Sequence, residues 1–245
     1  MTPRTLIFVG PSLPAAEVAA RAPGAEVHPP IAVGDLLAMI AAPRHRIGRI
    51  AIIDGYFERM AAVWHKEILC ALERGIEVWG ASSMGALRAA ELAAFGMRGV
   101  GAIFRGFARG ALVADDEVAV AHLPAAYGFR PTSVALVNLR DGIARAPMLS
   151  AKTRAALVEL ARGRFYRTRS WDALIADARA AGLPRRQLDA LAAWPKPDRK
   201  AADARQLLRA LATTKITRRP GARVPRTWAL AQLAAQLGIP ARRGA

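Results

Sequence analysis

A single cysteine in 245 residues rules out a disulfide scaffold and a cysteine-based zinc site. That residue, Cys70, sits in Glu67-Ile-Leu-Cys-Ala-Leu, a context that reads as core rather than as a nucleophile. Aromatics make up only 6% of the chain, which leaves little for base stacking. No uncharged stretch reaches the roughly 18 apolar residues of a membrane span. Near the start, Leu6 to Gly10 is apolar but Pro11 follows, too short a run for a secretory h-region, so no signal peptide is expected and the expected address is the cytoplasm. Lysine is rare too: 5 stand against 31 arginines, a ratio that fits a GC-rich, alanine-rich gene.

What is plentiful is apolar material, 53% of residues, enough for a large core. Basic charge is also plentiful, and it is uneven. Residues 1–150 hold 15 basic and 13 acidic side chains, whereas residues 151–245 hold 21 basic and 6 acidic. The overall +17 therefore resides almost wholly in the last 95 residues. A field of that kind attracts polyanions: nucleic acid, an anionic membrane or an acidic protein.

The first hundred residues alternate between short apolar runs and helical patterns. Leu6–Gly10, Ile50–Asp54 and Glu77–Gly80 read as buried strands. Ala15–Ala22, Ile31–Ala41, Ala61–Arg74 and Gly85–Phe95 read as helices, the third ended by Gly75 and the fourth by Gly96. This alternation predicts an α/β fold, with a mainly parallel sheet and flanking helices. From Gly96 to Pro131 the chain is glycine-rich and of uncertain regular structure, and 132–139 reads as a strand or a helix start. From Leu149 onward everything reads helical: 150–162, 171–181, 184–193, 201–212 and 226–237, with breakers at Gly182, Pro195, Pro197, Pro220 and Pro240. The expected division is an α/β core at 1–148 and an all-helical basic region at 149–245. Asp54 and Ser83 would fall just past strand ends, where open α/β sheets place their ligands.

The most pointed segment is Val78-Trp-Gly-Ala-Ser-Ser-Met-Gly-Ala-Leu-Arg-Ala-Ala-Glu. A strand runs through small residues and a serine into a helix. Around Ser83 the pattern is small-x-Ser-x-Gly, the steric requirement of a nucleophile elbow, with Ala81 where the full signature has glycine. The N–H groups of Met84 and Gly85 would face a developing oxyanion. Equally, Ser82 or Ser83 is a helix N-cap, as serines commonly are. A nucleophilic serine needs a base. His28 and His45 lie in Pro- or Arg-rich turns. His122 follows Asp115 and Asp116 too closely for a hydrolase-type triad, and His65 is a weaker candidate than its neighbour Lys66. Lys66 is the only lysine of the first 150 residues, and a lysine, unlike an arginine, gives up its proton when buried. Ser83 and Lys66 would form a Ser–Lys pair; the alternative is a helix-surface charge beside Glu67. Asp54-Gly-Tyr-Phe is a turn whose aspartate would orient Lys66 or line a pocket. Arg88, one turn into the helix, would neutralise an anionic substrate or meet an acidic loop. Asp115-Asp-Glu reads as an exposed acidic turn, and with no HExxH or equivalent no metal is expected. Gly96-Met-Arg-Gly-Val-Gly resembles a phosphate loop only loosely, since no Lys-Ser/Thr follows.

Several motifs together resemble the TfuA-like proteins: Asp54-Gly-Tyr-Phe, Val63-Trp-His-Lys-Glu-Ile-Leu, Ser83-Met-Gly-Ala-Leu-Arg-Ala-Ala-Glu-Leu, Gly96-Met-Arg-Gly-Val-Gly and Asp115-Asp-Glu-Val-Ala-Val. The resemblance covers roughly Leu6 to Arg140 and leaves out the basic helical tail. It implies an α/β fold that is not a standard Rossmann domain, no cofactor, and two partners: a YcaO enzyme, which activates a peptide backbone amide with ATP, and a ThiS-like sulfur carrier ending in a thiocarboxylate. The implied role is sulfur delivery for backbone thioamidation. The thiocarboxylate would be hydrolysed by a Ser–Lys pair, carried here onto Ser83 and Lys66, with Met84, Gly85, Arg88, Asp54 and Ser82 around them.

Two other classes stay open on the sequence. One is a non-catalytic adaptor whose basic tail grips the YcaO enzyme, the carrier or a peptide leader. The other is a nucleic-acid-binding protein, against which the lack of aromatics and of any recognition motif argues.

Overall fold

A computed structural model describes residues 3–41, 47–56, 60–217, 220–221 and 223–239. His45, Phe57 and Pro240 lie outside the described residues.

The strands are β1 (Arg4–Phe8), β2 (Glu26–His28), β3 (Ile47–Ile52), β4 (Glu77–Ala81) and β5 (Arg98–Val100). Between them run α1 (Ala15–Arg21), α2 (Asp35–Ala41), α3 (His65–Glu73) and α4 (Met84–Leu92). After β5 come α5 (Gly101–Ala108), α6 (Leu136–Arg145), α7 (Ala151–Gly163), α8 (Trp171–Ala180), α9 (Arg185–Ala193), α10 (Arg199–Thr213) and α11 (Trp228–Gln236). All strand pairings are parallel, and the order across the sheet is β2-β1-β3-β4-β5. This is the expected parallel α/β architecture followed by helices. The order is not the 3-2-1-4-5-6 of a standard dinucleotide-binding domain. The winding reverses between β1 and β3, so a crevice opens past the C-terminal ends of those strands.

The strand interiors are apolar on both faces, as a doubly covered parallel sheet requires. Leu6, Phe8, Ile50, Ile52 and Val78 face one way and pack on α2, α3, α4 and α11 through Leu36, Ile40, Ile68, Leu72, Met84, Leu92, Leu230 and Leu233. Ile7, Val9, Ala51, Ile53, Trp79 and Ala81 face the other way. There α1 supplies only Val18 among the buried residues, and the cover comes from α10: Ala201, Ala204, Leu207, Leu208 and Leu211. Helices α6 to α9 form a separate apolar cluster around Leu139, Ile143, Leu157, Leu174, Leu188 and Leu191.

The boundary expected at 148 therefore does not separate two cores. The second face of the sheet is closed by the C-terminal region, and fully burying a leucine contributes about 1.5–3 kcal/mol. Polar ties follow the same seam. Tail arginines meet acids of the first 148 residues: Arg169–Asp116 at 2.6 Å, Arg199–Asp141 at 2.7 Å, Arg205–Glu17 at 2.7 Å and Arg226–Glu73 at 2.8 Å. In the other direction Arg49, buried beside Glu77, donates to the carbonyls of Leu211 and Thr214 at 3.0 and 2.8 Å. Part of the tail's positive charge is thus internal to the fold.

Asp203 of α10 accounts for Gly101. Its carboxylate accepts from the Ile103 N–H at 2.7 Å, at the N-terminus of α5. A Cβ on Gly101, whose φ is +100°, would come within 2.4 Å of that carboxylate. The apparent phosphate loop is occupied by the protein's own anion.

Sequence reading missed the two three-residue edge strands. Val27 is the only strong β-former in β2, and Gly99 occupies the centre of β5. Truncating Leu207 to alanine is expected to destabilise the protein by about 2–5 kcal/mol in urea unfolding. A chain ending at residue 148 would leave the Ile7–Ile53 face open, and no cooperative unfolding transition is expected for it.

Candidate active site

Three strands deliver their following loops to one place. After β1 come Gly10, Pro11 and Ser12; after β3 comes Asp54; after β4 come Ser82 and Ser83. Asp54 is 1% exposed, and its carboxylate is enclosed by donors from the first loop. Gly10 N–H and Ser12 N–H donate to Oδ2 at 2.9 and 3.0 Å, and the Ser12 hydroxyl donates to Oδ1 at 2.6 Å. Ser82 Oγ donates in turn to Ser12 Oγ at 2.9 Å.

The turn from β4 to α4 is an elbow, but its strain sits one residue earlier than the motif suggests. Ser82 has φ +68°, in the left-handed region that costs a non-glycine residue on the order of 1–3 kcal/mol. Its side chain is fully buried in the Ser12–Asp54 network. Ser83, at φ −116°, is instead turned toward a cavity lined by Asp54, Gly55, Met84, Val118, His122 and Tyr166, among others. Two glycines permit the turn: a Cβ on Gly85 would lie 1.7 Å from the Ile52 carbonyl oxygen, and one on Gly80 would lie 2.0 Å from the Gly85 oxygen. The Gly85 N–H donates to Ile53 O at 3.3 Å and is not free for a ligand. Among the described residues no backbone acceptor engages the Met84 N–H.

The lysine at this site is not Lys66. The Lys66 ammonium meets the Pro225 carbonyl at 3.4 Å; neither Lys66 nor Lys200 is itself among the cavity's lining residues, but Lys200 binds one of them, Val118. The site holds Lys200, at the start of α10 and 3% exposed. Its Nζ donates to the Val118 carbonyl at 2.9 Å and lies 4.0 Å from Asp54 Oδ1. The Ser83 hydroxyl makes a loose contact, 3.5 Å, with that same carbonyl oxygen. Burial pushes the Lys200 ammonium below the ordinary lysine range, against the opposing pull of Asp54 and Asp198. The reasoning that singled out Lys66, a lysine kept where arginine is the rule, applies equally to Lys200. It precedes the apolar spacing of Ala201, Ala204, Leu207 and Leu211, which places it beside a buried helix face.

Arg88 also lies away from the cavity. It pairs with Glu91 at 2.7 Å, donates to Val63 O at 3.2 Å and touches His65. The acidic turn is met by other arginines: Arg169 takes Asp116, and Arg140 takes Glu117 at 2.7 Å. His122, discounted on sequence, does line the cavity, as does Asp115. The His122 Nδ1 lies 2.8 Å from Leu123 O, so it carries the proton and Nε2 is left as an acceptor. The His122 ring joins Tyr56 and Phe129 in a cluster with centroids 5.7–6.4 Å apart. No group of three or more His, Cys, Asp or Glu side chains that could hold a metal ion occurs among the described residues. Nor, among them, is any helix long and apolar enough to cross a membrane.

Fold and site together define a doubly wound α/β protein with a serine elbow and a buried lysine at its switch point. Residues 54–170 match the family model of the TfuA-like proteins. The match includes Asp54, Ser83, Val118 and His122; Ser12 and Lys200 lie outside it. No curated protein matches the chain.

The elbow's steric demand is directly testable. Gly85→Ala is expected to lower stability by about 3 kcal/mol, because the backbone of β3 and β4 would have to part. Gly163→Ala, where an added Cβ meets nothing within 4 Å, should change it by no more than about 1 kcal/mol. Thermal unfolding of the two variants makes the comparison.

Proposed function

We propose that the protein is a serine–lysine hydrolase that releases sulfide from the C-terminal thiocarboxylate of a small ThiS-like carrier, supplying a YcaO enzyme for backbone thioamidation. The observation that carries the chemistry is the meeting of Ser83 Oγ and Lys200 Nζ at one carbonyl oxygen, that of Val118. The match to the TfuA-like family model over 54–170 supports the YcaO-associated setting. Lys200 lies outside that span, so its role rests on geometry alone.

In the proposed cycle neutral Lys200 takes the Ser83 proton as Oγ attacks the thioacyl carbon. A tetrahedral intermediate forms, and the Met84 N–H together with the new Lys200 ammonium faces its oxyanion. As the C–S bond breaks, the Lys200 ammonium passes its proton to the sulfur, which leaves as hydrosulfide, and an acyl-serine remains beside the again neutral amine. Water, deprotonated by Lys200, attacks that ester; the C–Oγ bond breaks, Oγ regains that proton from the Lys200 ammonium and the carrier leaves as a carboxylate.

Burial helps the lysine in this task, since only the neutral amine accepts a proton. Arginine in its place would retain the cation and lose the base. The second candidate base is His122, whose Nε2 is an acceptor in the same cavity.

Sulfide release from a thiocarboxylated carrier tests the proposal. Ser83→Ala and Lys200→Ala are each expected to abolish it, with the double variant little worse than either single one. Lys200→Arg should be as inactive as Lys200→Ala. Lys66→Ala should retain activity, and Ser82→Ala should lose less than Ser83→Ala. Activity should rise with pH through a midpoint below the ordinary lysine value of about 10.4. A midpoint near the ordinary histidine value of about 6.5, abolished by His122→Asn, would transfer the base role to His122. Full activity of Ser83→Ala would leave a non-catalytic adaptor.

A further inference from the structure

The Asp54 carboxylate sits 4.0 Å from the Lys200 ammonium, yet the two make no hydrogen bond. Buried opposite charges would ordinarily close to contact, because attraction grows steeply at low dielectric. Its other partners hold Asp54 back: Oδ2 is taken by Gly10 N–H and Ser12 N–H, and Oδ1 by the Ser12 hydroxyl. Ser12 is 5% exposed, and its hydroxyl is itself fixed by Ser82. We propose that Ser12 is a positioning residue whose hydroxyl locks the Asp54 carboxylate away from Lys200, so that the amine stays free to accept the Ser83 proton. The catalytic half of this statement rests on the hydrolase reading above; the lock itself does not.

The remaining groups around Lys200 do not offer a competing partner. Asp198, its own helix N-cap, is engaged by Ala201 N–H at 2.9 Å and by the Asn138 amide at 3.0 Å. Asp203, one turn on, accepts from Ile103 N–H and has Arg199 3.8 Å away. Glu117, beside Val118, is taken by Arg140. From α6 the Asn138 Oδ1 accepts the Lys200 backbone N–H at 3.0 Å. Ser83 is neutral. Among the described residues Asp54 is the only carboxylate within 4.0 Å of the ammonium, and its nearer oxygen, Oδ1, is held by one removable hydroxyl.

Removing that hydroxyl frees Oδ1 to accept from Lys200. Closing the pair from 4.0 Å to hydrogen-bonding distance favours the ammonium by about one pH unit at an effective dielectric of roughly 20. The measurement is the titration of Lys200 in the full-length protein carrying 13Cε-labelled lysine. Its resonance, one of five, is assigned by its loss in Lys200→Met. Ser12→Ala is expected to raise the Lys200 midpoint by about one unit, and Ser12→Thr, which keeps a hydroxyl, to leave it near its original value. Asp54→Asn should lower the midpoint, and adding Ser12→Ala to it should produce no rise.

An unchanged or lowered midpoint in folded Ser12→Ala overturns the lock, as does an equal rise in Ser12→Thr. Should Ser12→Ala not fold, a failure of Asp54→Asn to lower the midpoint overturns it alone. Sulfide release is not needed for any of these readings. A fully active Ser83→Ala would sink the hydrolase reading and leave the lock standing, whereas an unmoved Lys200 would sink the lock and leave the hydrolase reading standing.

Discussion

A parallel sheet has to be covered on both faces, and this chain meets that requirement with helices from opposite ends of its sequence. The local helices α2, α3 and α4 follow their strands and, with α11, cover the face of Leu6, Phe8, Ile50 and Ile52. The face of Ile7, Val9, Ala51 and Ile53 waits for α10, more than a hundred residues beyond β4. Because α10 lies against that face, its first turn reaches the C-terminal ends of β1 and β3. Lys200 is in that turn. The same packing that closes the core brings an amine to the mouth of the sheet, and Asp203 one turn later caps α5.

This arrangement explains which features were legible in the sequence. The three long strands, Asp54 past β3 and the small residues around Ser83 are all local patterns, and the structure reproduces them. The amine that shares the Val118 carbonyl with Ser83 is not local. A search restricted to the first 150 residues reaches Lys66 and cannot reach Lys200, although both are lysines in an arginine-rich chain. The partly exposed setting of Lys66 follows from its place in the first turn of α3, next to Glu67, which is fully buried. Adjacent helix positions point about 100° apart, so one neighbour faces in and the other out. Glu67 faces in because it caps its own helix at Trp64 N–H and also accepts from Gly34 N–H.

The charge asymmetry changes meaning in the same way. Seen along the chain, the last 95 residues look like a polyanion-binding tail. In the fold, Arg169, Arg199, Arg205 and Arg226 reach back to acids of the first 148 residues. The more exposed of them, such as Arg226–Glu73, contribute at most about 1 kcal/mol each, whereas the Arg169 side chain is only 1% exposed. The Glu17 carboxyl shows the local effect: hydrogen bonds from Arg205 and Arg21 hold it down to about 2. That linkage is complete above the ordinary carboxylate range and is lost as the pH falls toward 2.

The strained residue at the elbow completes the argument. Left-handed backbone at Ser82 is unfavourable by itself, and it persists because its hydroxyl closes a chain through Ser12 to Asp54. That chain joins the loops after β4, β1 and β3, and Lys200 adds α10 to them through Val118 O. None of these four elements holds the arrangement alone. Without β1 the Asp54 carboxylate loses all three of its donors from Gly10 and Ser12, without β3 there is no anion for them to hold, and without α10 the serine has no buried amine. Ser83 therefore gains its chemical setting only when residues from position 10 to position 200 are folded together, and the polar order of the site depends on the same packing that makes the core.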